Sequence, residues 1–157
     1  MADKLFEYFL VYSTEWKQPA LEQLNADDFF QQIWGEYIFS LKNQGFHIVS
    51  DFSIFNGTIQ INVDLLHRAF DNIYSNILKY ADRQKTVAIR YFRKQDEICL
   101  TIANAVSPDR NIMESTNIGL NTCKRIIQYH GGSFQATENG NEFVIIITIP
   151  FMNTKTN

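Results

Sequence analysis

The sequence predicts an α+β fold, a two-layer α/β sandwich in which three helices cover one face of a mixed, mostly antiparallel sheet. Helical segments alternate with pairs of strand-like segments along the chain. Helices that alternate with hairpins layer on a sheet and do not build parallel βαβ units. The run "FVIIITI" at 143–149 is almost continuously apolar, as expected of a strand inside a sheet.

Composition is that of one ordinary globular domain. The chain has 157 residues, of which 45% are hydrophobic and 20% are charged. Its net charge of −3 gives no general reason to expect nucleic acid or an anionic membrane as a partner. The sequence contains no run of about 18 apolar residues, so it predicts no membrane-spanning helix. Cys99 and Cys123 are too far apart for a zinc motif and predict buried thiols in a reducing compartment.

The first half of the chain predicts two helices and a hairpin. Apolar residues at helical spacing predict a helix over 4–16, which Pro19 ends. A second helix is predicted over 26–45, with an Asp at its N-cap. Two β-rich runs, 46–52 and 58–62, flank Asn56-Gly57, and this dipeptide predicts a hairpin turn.

The second half predicts two helices and two hairpins. One helix runs from Asp64 to about Asp82, and the other runs from about Ile118 to the Gly131-Gly132 stop. The hairpins turn at "KQDE" and at "ENGN", and residues 105–116 read as irregular.

The helix that begins at Asp64 has three distinct faces at about 100° per residue. The apolar stripe contains Leu66, Phe70, Ile73 and Ile77, and the opposite, solvent face contains Asp64, Asp71, Ser75 and Asp82. The border between them contains Asn72, Asn76, Lys79 and Arg83. An amide oxygen suits Mg²⁺ that arrives with phosphates, and a lysine supplies a point charge for phosphate. The alternative is a merely solvated helix flank.

Three motifs in order resemble one protein family. "RAFDNIYSNILKYAD" at 68–82 resembles the N-box of bacterial sensor histidine kinases, Asn-Leu-x-x-Asn-Ala-x-Lys-Tyr. "STNIGLNTCKRIIQYHGGSFQAT" at 115–137 resembles their second glycine box and the helix after it, and "NEFVIIITIP" at 141–150 resembles their closing strand. The resemblance covers about residues 25 to 151. It implies the Bergerat-type ATP-binding fold shared with gyrase and chaperone ATPases.

The resemblance also implies a site for ATP and Mg²⁺. Asn76 would hold Mg²⁺, Asn72 would lie nearby, Lys79 would face phosphate, and Tyr80 would lie along the adenine. The second motif adds Ser115 and Thr116 as phosphate-binding hydroxyls, and a helix N-terminus near Ile118. The implied ATP-binding set is completed by Asn104, Gly119 and Leu120.

The sequence departs from the family where the adenine contact is expected. The usual Asp-x-Gly-x-Gly is replaced by "NAVSP", so Asn104 stands for the Asp and Val106 for a glycine. Asn104 can accept the adenine amino hydrogen bond through its amide oxygen. Alternatively, it is only a strand-end turn residue. This glycine-poor form, with a lid of only ten residues, resembles divergent kinases of some Gram-positive bacteria and predicts weak nucleotide affinity.

The implied function is that of a histidine kinase ATP-binding domain in a two-component phosphorelay. Residues 1–20 would be the end of a dimerisation helix and a linker, 21–151 the catalytic domain, and 152–157 a disordered tail. None of His47, His67 and His130 fits the phosphoacceptor, so the catalytic histidine would lie on a dimerisation domain outside this chain. A response regulator would be the downstream partner of a membrane-anchored parent with this domain in the cytoplasm. The alternative is a degenerate Bergerat domain that serves as a protein-interaction module.

Overall fold

The computed structural model describes residues 19–108 and 114–151, and for residues 114–118 it describes the backbone alone. The predicted helix over 4–16 and the predicted tail over 152–157 lie outside these ranges. The described helices are α1 (Ala26–Asn43), α2 (Val63–Tyr80) and α3 (Glu114–Tyr129). The described strands are β1 (Glu22–Asn25), β2 (His47–Phe52), β3 (Thr58–Ile61), β4 (Thr86–Lys94), β5 (Glu97–Ala105), β6 (Ser133–Asn139) and β7 (Glu142–Pro150).

The main sheet has five strands in the order β2-β4-β5-β7-β6. Strands β2 and β4 pair in parallel, and every other neighbouring pair in this sheet is antiparallel. The predicted hairpins are confirmed, because Lys94 pairs with Glu97 at one turn and Asn139 pairs with Glu142 at the other. The mixed, mostly antiparallel sheet with three helices agrees with the predicted fold class.

Alternation along the strands shows that the helices cover one face of this sheet. Val87, Ile89 and Tyr91 of β4 are fully buried, whereas Arg90 between them is exposed. In β7, Ile145 and Ile147 are buried, whereas Ile146 is 37% exposed. Because successive side chains of a strand point to opposite faces, the buried set faces the helices. The nearly continuous apolar run of β7 thus lies between two neighbouring strands, as predicted, but its other face meets solvent.

The predicted hairpin at Asn56-Gly57 is wrong. Strand β3 pairs instead with β1, with Gln23 opposite Gln60, and β2 pairs with β4. Asn56 does take the left-handed conformation, with φ of 56°. However, the buried Asp27 carboxylate accepts the backbone N–H groups of Phe55 and Asn56, which fastens this loop to the start of α1. The loop therefore directs β3 away from β2.

Two helix starts differ from the prediction in small ways. Asn25, and not an Asp, caps α1, since its side chain accepts the N–H of Asp28 at 2.9 Å. Asn62 caps α2 in the same manner through the N–H of Leu65. Between the two helices, the hydroxyl of Tyr37 donates to Asp71. These contacts fix α1 against α2 beside the sheet.

Helix α3 ends in a motif that needs its two glycines. Gly131 has a φ of +80°, and the N–H of Gly132 reaches back to the carbonyl of Ile127 at 3.0 Å. The N–H of Gly131 bonds the carbonyl of Gln128 at 2.9 Å, which completes a Schellman motif. The predicted helix stop at Gly131-Gly132 is confirmed.

Candidate functional site

Helix α2 presents its polar border to α3 because its apolar stripe is fixed against the sheet. Leu66, Phe70, Ile73 and Ile77 are each 1% exposed or less. Burying side chains of this size contributes roughly 1.5–3 kcal/mol each, which fixes the rotation of the helix about its axis. With that stripe inward, the residues on its flank are directed toward the neighbouring helix and a cavity.

A cavity of about 90 Å³ lies between α2 and α3. It brings together six of the residues that the resemblance implies for ATP binding. The described lining residues are Asn72, Ser75, Asn76, Lys79 and Tyr80 of α2, with Gly119 and Leu120 of α3. A pair of motifs about 40 residues apart in the sequence thus forms one site.

One hydrogen bond joins the two helices at this cavity. Nδ2 of Asn72 donates to the carbonyl of Gly119 at 3.1 Å. A Cβ at position 119 would lie 3.9 Å from the Asn72 side chain, which is ordinary van der Waals contact. Steric crowding therefore does not require glycine here, and the contact uses the backbone of Gly119.

The cavity combines neutral oxygen donors with one cation. Asn76 is buried at 9% exposure, and Lys79 is exposed. Lys79 is the only charged side chain among the described residues that line this cavity. Such a site attracts an anion and offers amide oxygens that bind hard cations.

These residues fit a magnesium ion that is carried in by phosphate. Within residues 19–108 and 114–151, no three His, Cys, Asp or Glu side chains come together to hold a metal ion. Mg²⁺ usually takes one or two protein ligands and completes its shell with water and substrate phosphates. Asn76 suits that limited role through its amide oxygen.

The end of α2 is fastened to the end of β5 by backbone hydrogen bonds. The N–H of Asp82 donates to Ala105 at 2.9 Å, and the N–H of Ser107 donates to Tyr80 at 2.7 Å. Between them, Ala81 and Val106 form an antiparallel bridge. Val106 thus continues the extended pairing of β5, which a β-branched residue tolerates well, so no glycine is needed at this position.

Asn104 is buried near the end of β5, at 5% exposure. Its Nδ2 donates to the carbonyl of Ala105 at 2.9 Å, which leaves the amide oxygen on the other side of the group. It does not line the cavity between α2 and α3. The structure therefore brings together Asn72, Asn76, Lys79, Tyr80, Gly119 and Leu120, but separates Asn104 from them.

The predicted start of α3 near Ile118 is wrong. The helix begins at Glu114, so Ser115, Thr116 and Ile118 belong to its first turns. The glycine-poor sequence permits this earlier start, because Ser, Thr and Asn are better helix formers than glycine. The backbone of these residues leads directly into Gly119, and their side chains lie outside the described part of the chain.

The sequence prediction missed one residue that lines the cavity, and one residue of the predicted polar border of α2 does not line it. The helical wheel placed Ser75 on the solvent face, but it is half-buried and lines the cavity. Arg83 lies beyond the end of α2, where its guanidinium lies 4.4 Å from the centre of the Phe46 ring. It also donates to the carbonyl of Gln44, so it is engaged away from the cavity. The end of α2 at Tyr80 explains the case of Arg83, because this residue lies beyond the helix.

The histidines and cysteines lie outside the cavity lining. His47 and His67 are exposed, while His130 is buried at the end of α3. Cys99 and Cys123 are buried free thiols, as predicted, and burial raises the pKa of each. Both thiols are thus held in the unreactive protonated form.

Comparison with known proteins identifies this arrangement. The family described as histidine kinase-, DNA gyrase B- and HSP90-like ATPases matches residues 61–153, which is more than half of the chain. The chain belongs to this ATPase family. The match contains both helices of the cavity and confirms the resemblance that the three motifs carry.

Sequence relatives of this family member include a sensor histidine kinase and a heme sensor protein. The sensor histidine kinase YrkQ of Bacillus subtilis is 26% identical over 99% of this chain and 35% of its own length. The heme sensor protein HssS of Staphylococcus aureus is 27% identical over 84% of the chain and 32% of its own length. The chain thus spans about a third of the length of these relatives.

Solved structures confirm the fold of this ATPase family member. The histidine kinase AdeS of Acinetobacter baumannii superimposes with a TM-score of 0.70 at 12% identity, over 97% of this chain and 77% of that one. The catalytic domain of histidine kinase ThkA superimposes with a TM-score of 0.66 at 14% identity, over 83% and 95%. No helix in the described ranges has the length and apolar character needed to cross a membrane.

Proposed function

We propose that this chain is the Mg²⁺-ATP-binding catalytic domain of a sensor histidine kinase. The observation that carries the proposal is the cavity between α2 and α3, which Asn72, Asn76, Lys79 and Gly119 line. An anion-attracting lysine beside neutral oxygen ligands is the chemistry that a metal-bound triphosphate requires.

The residues of the cavity would bind and orient the triphosphate. The amide oxygen of Asn76 would hold Mg²⁺, and the exposed Lys79 ammonium would pair with phosphate oxygens. When bound, Mg²⁺ supplies charge neutralisation for the phosphates. Phosphoryl transfer needs little covalent chemistry from the protein, so positioning and electrostatic stabilisation do most of the work.

The acceptor of the phosphoryl group lies outside this chain in the proposal. His130 is buried, and the exposed His47 and His67 do not line the cavity. The acceptor would be a histidine on a dimerisation domain of a longer, membrane-anchored parent protein, with this domain in the cytoplasm. A response regulator would receive the phosphoryl group from that histidine.

A thermal-shift titration of this chain with ATP and Mg²⁺ tests the proposal. A ligand at about 100 times its dissociation constant stabilises the folded protein by about 2.7 kcal/mol, so a rise in Tm is expected. The shift should be larger with Mg²⁺ than with EDTA, because Asn76 would hold the metal ion, which would neutralise phosphate charge. A Tm that stays constant up to millimolar ATP would instead indicate a degenerate domain that serves as an interaction module.

Replacement of Asn76 locates the binding within the cavity. Asn76→Ala should raise the Kd for Mg²⁺-ATP at least about tenfold and remove the metal dependence, measured by calorimetry. Gln128→Ala is the matched control, because it removes an exposed amide from α3 away from the cavity lining. Equal affinity of wild type and Asn76→Ala would show that the nucleotide binds elsewhere.

A further inference from the structure

Ser75 lines the cavity between α2 and α3 from the side of α2 that helical periodicity places furthest from the sheet. It is half-buried and lines the cavity together with Lys79, one helical turn later. Its hydroxyl is a hydrogen-bond donor and acceptor with no net charge. No role for this residue follows from the motif that first indicated the site.

The lining residues of α2 follow an order from the sheet outward. At about 100° per residue, the buried Ile73 and Ile77 are nearest the sheet. The sequence of lining positions is then Tyr80, Asn76, Asn72, Lys79 and Ser75. Asn76 is 9% exposed, Ser75 is half-buried and Lys79 is exposed. By its helical position, Ser75 is the α2 lining residue furthest from the sheet.

The chemistry of the cavity indicates what part of a nucleotide it holds. Lys79 is the only charged side chain among the described lining residues, and Asn72 and Asn76 add amide groups beside it. A cation next to amide oxygens suits phosphate together with a hard metal ion. The cavity thus has the chemistry of a phosphate and metal subsite.

The direction of the triphosphate follows from the proposed reaction. A histidine outside this chain can reach the terminal phosphate only from the solvent side of the cavity. The terminal phosphate must therefore lie toward the outer edge, beside Lys79 and Ser75. The inner phosphates then lie nearer Asn76.

We infer that Ser75 discriminates ATP from ADP by donating its hydroxyl hydrogen to the terminal phosphate or to a metal-bound water on that phosphate. This inference rests on the proposed function and adds a specificity-determining residue to it. ADP ends one phosphate earlier, so it leaves the Ser75 hydroxyl without this partner. Ser75 thus contributes to the affinity for ATP and not to that for ADP.

Calorimetric titration of Ser75→Ala with Mg²⁺-ATP and with Mg²⁺-ADP tests the inference. The Kd for ATP should rise between about threefold and tenfold, the loss expected for one hydrogen bond, while the Kd for ADP stays constant. Alanine is the best helix former, so α2 should keep its structure, and an unchanged Tm checks this. Ser75→Thr keeps the hydroxyl and should restore the preference for ATP.

Each contrary result has a distinct meaning. If Ser75→Ala weakens ATP and ADP equally, or weakens neither, Ser75 does not contact the terminal phosphate and the inference is overturned. In both cases, binding of ATP by the wild-type chain would still support the proposed function, and only the role of Ser75 would be excluded. If the wild-type chain binds neither nucleotide, the proposed function fails and this inference fails with it.

Discussion

The backbone N–H of Asn62 donates a 3.0 Å hydrogen bond to Nε2 of His130 and so joins the start of α2 to the end of α3. The other ring nitrogen, Nδ1, bonds the carbonyl of Ile126 at 2.8 Å. Since a carbonyl can only accept, Nδ1 carries the hydrogen and Nε2 accepts. This network needs the neutral ring. Burial lowers the pKa of His130, and the bond to Ile126 opposes this effect more weakly.

His130 should make the folded state sensitive to acid. Because its pKa in the folded protein lies below the ordinary value of 6.5, the unfolded chain binds the proton first as the pH falls. The neutral His130 ring therefore contributes its full stabilisation above pH 6.5. This contribution decreases as the pH falls below that value, until the ring is protonated in the folded protein as well. His130→Gln keeps an oxygen acceptor for Asn62 but does not titrate. It should therefore lose less unfolding free energy than wild type between about pH 7.5 and about pH 5, measured by urea denaturation.

The exposed Gln128 provides the control for this experiment. Gln128→Ala removes an uncharged side chain from the surface of α3 and should leave the pH dependence as in wild type. If His130→Gln and wild type lose the same unfolding free energy over this range, protonation of His130 is not the cause of the acid sensitivity.

Gly132 allows the chain after α3 to pass close to β7. A Cβ at this position would lie 2.0 Å from the carbonyl oxygen of Thr148 and 3.1 Å from Cγ2 of Ile127. Backbone must therefore move in Gly132→Ala, and we expect a loss of about 3 kcal/mol in the free energy of unfolding. Gly35 of α1 has nothing within 4 Å, so Gly35→Ala should stabilise the protein by up to about 1 kcal/mol. Urea denaturation gives the free energy of unfolding of both variants. A value for Gly132→Ala equal to that of wild type would contradict this account.

The amphipathic helix and the two tight hairpins were predictable because their signals are local. In α2 the period of apolar residues fixes both the helix and its buried face, and Ile73 and Ile77 lie where the pattern places them. The hairpin turns at Gln95 and Gly140 carry positive φ values in short connections between alternating strands. In each case the deciding contacts lie within a few residues of one another.

Strand β1 and the parallel pairing of β2 were not predictable because they depend on distant contacts. The segment Glu22–Asn25 is polar and has no strand pattern of its own, but it pairs with β3. The carboxylate of Asp27 holds Phe55 and Asn56 from 28 and 29 positions away. Neither contact leaves a periodic signal in the sequence.

Six of the residues that the resemblance implies for ATP binding line one cavity, while Asn104 does not line it and Ser75 was not predicted there. Asn72 and Gly119 come together as the two motifs imply, through a hydrogen bond. Ser75 was predicted to meet solvent but also lines the cavity, because a cavity wall is wider than the stripe that periodicity defines. The start of α3 was placed too late because residues 105–116 read as irregular, whereas the helix begins within that segment at Glu114.

Asp27 is a buried carboxylate whose removal should strongly destabilise the protein. It accepts two backbone N–H groups from the loop before β3 and, at 2.8 Å, the hydroxyl of Tyr91. Burial and this carboxylate both raise the pKa of Tyr91, so its hydroxyl stays a donor. Asp27→Ala leaves three donors without their acceptor and should lower the free energy of unfolding by about 3 kcal/mol or more.

A double-mutant cycle separates the Tyr91 bond from the loop contacts. Tyr91→Phe removes one hydrogen bond to a charged group and should cost about 1.5–3 kcal/mol in the wild-type background. In the Asp27→Ala background the same substitution should cost much less, because the bond is already gone. Additive costs in urea denaturation would show that Tyr91 is stabilised by something other than Asp27.

Asn104 can present its amide oxygen to a base that binds beside β5, because the bond from its Nδ2 to Ala105 fixes the orientation of the amide. Nδ2 bonds the carbonyl of Ala105, so the amide cannot turn over without losing that bond. An acceptor oxygen pairs with the 6-amino group of adenine and repels the 6-oxo group of guanine.

In the proposed function, Asn104→Ala should therefore raise the Kd for ATP about tenfold or less and leave the Kd for GTP nearly unchanged. The Mg²⁺ dependence of ATP binding should stay as in wild type, since Asn104 does not line the cavity that contains Asn76. Calorimetry with both nucleotides decides the point: an equal effect on ATP and GTP would place the base contact elsewhere and leave Asn104 as a residue that only ends its strand.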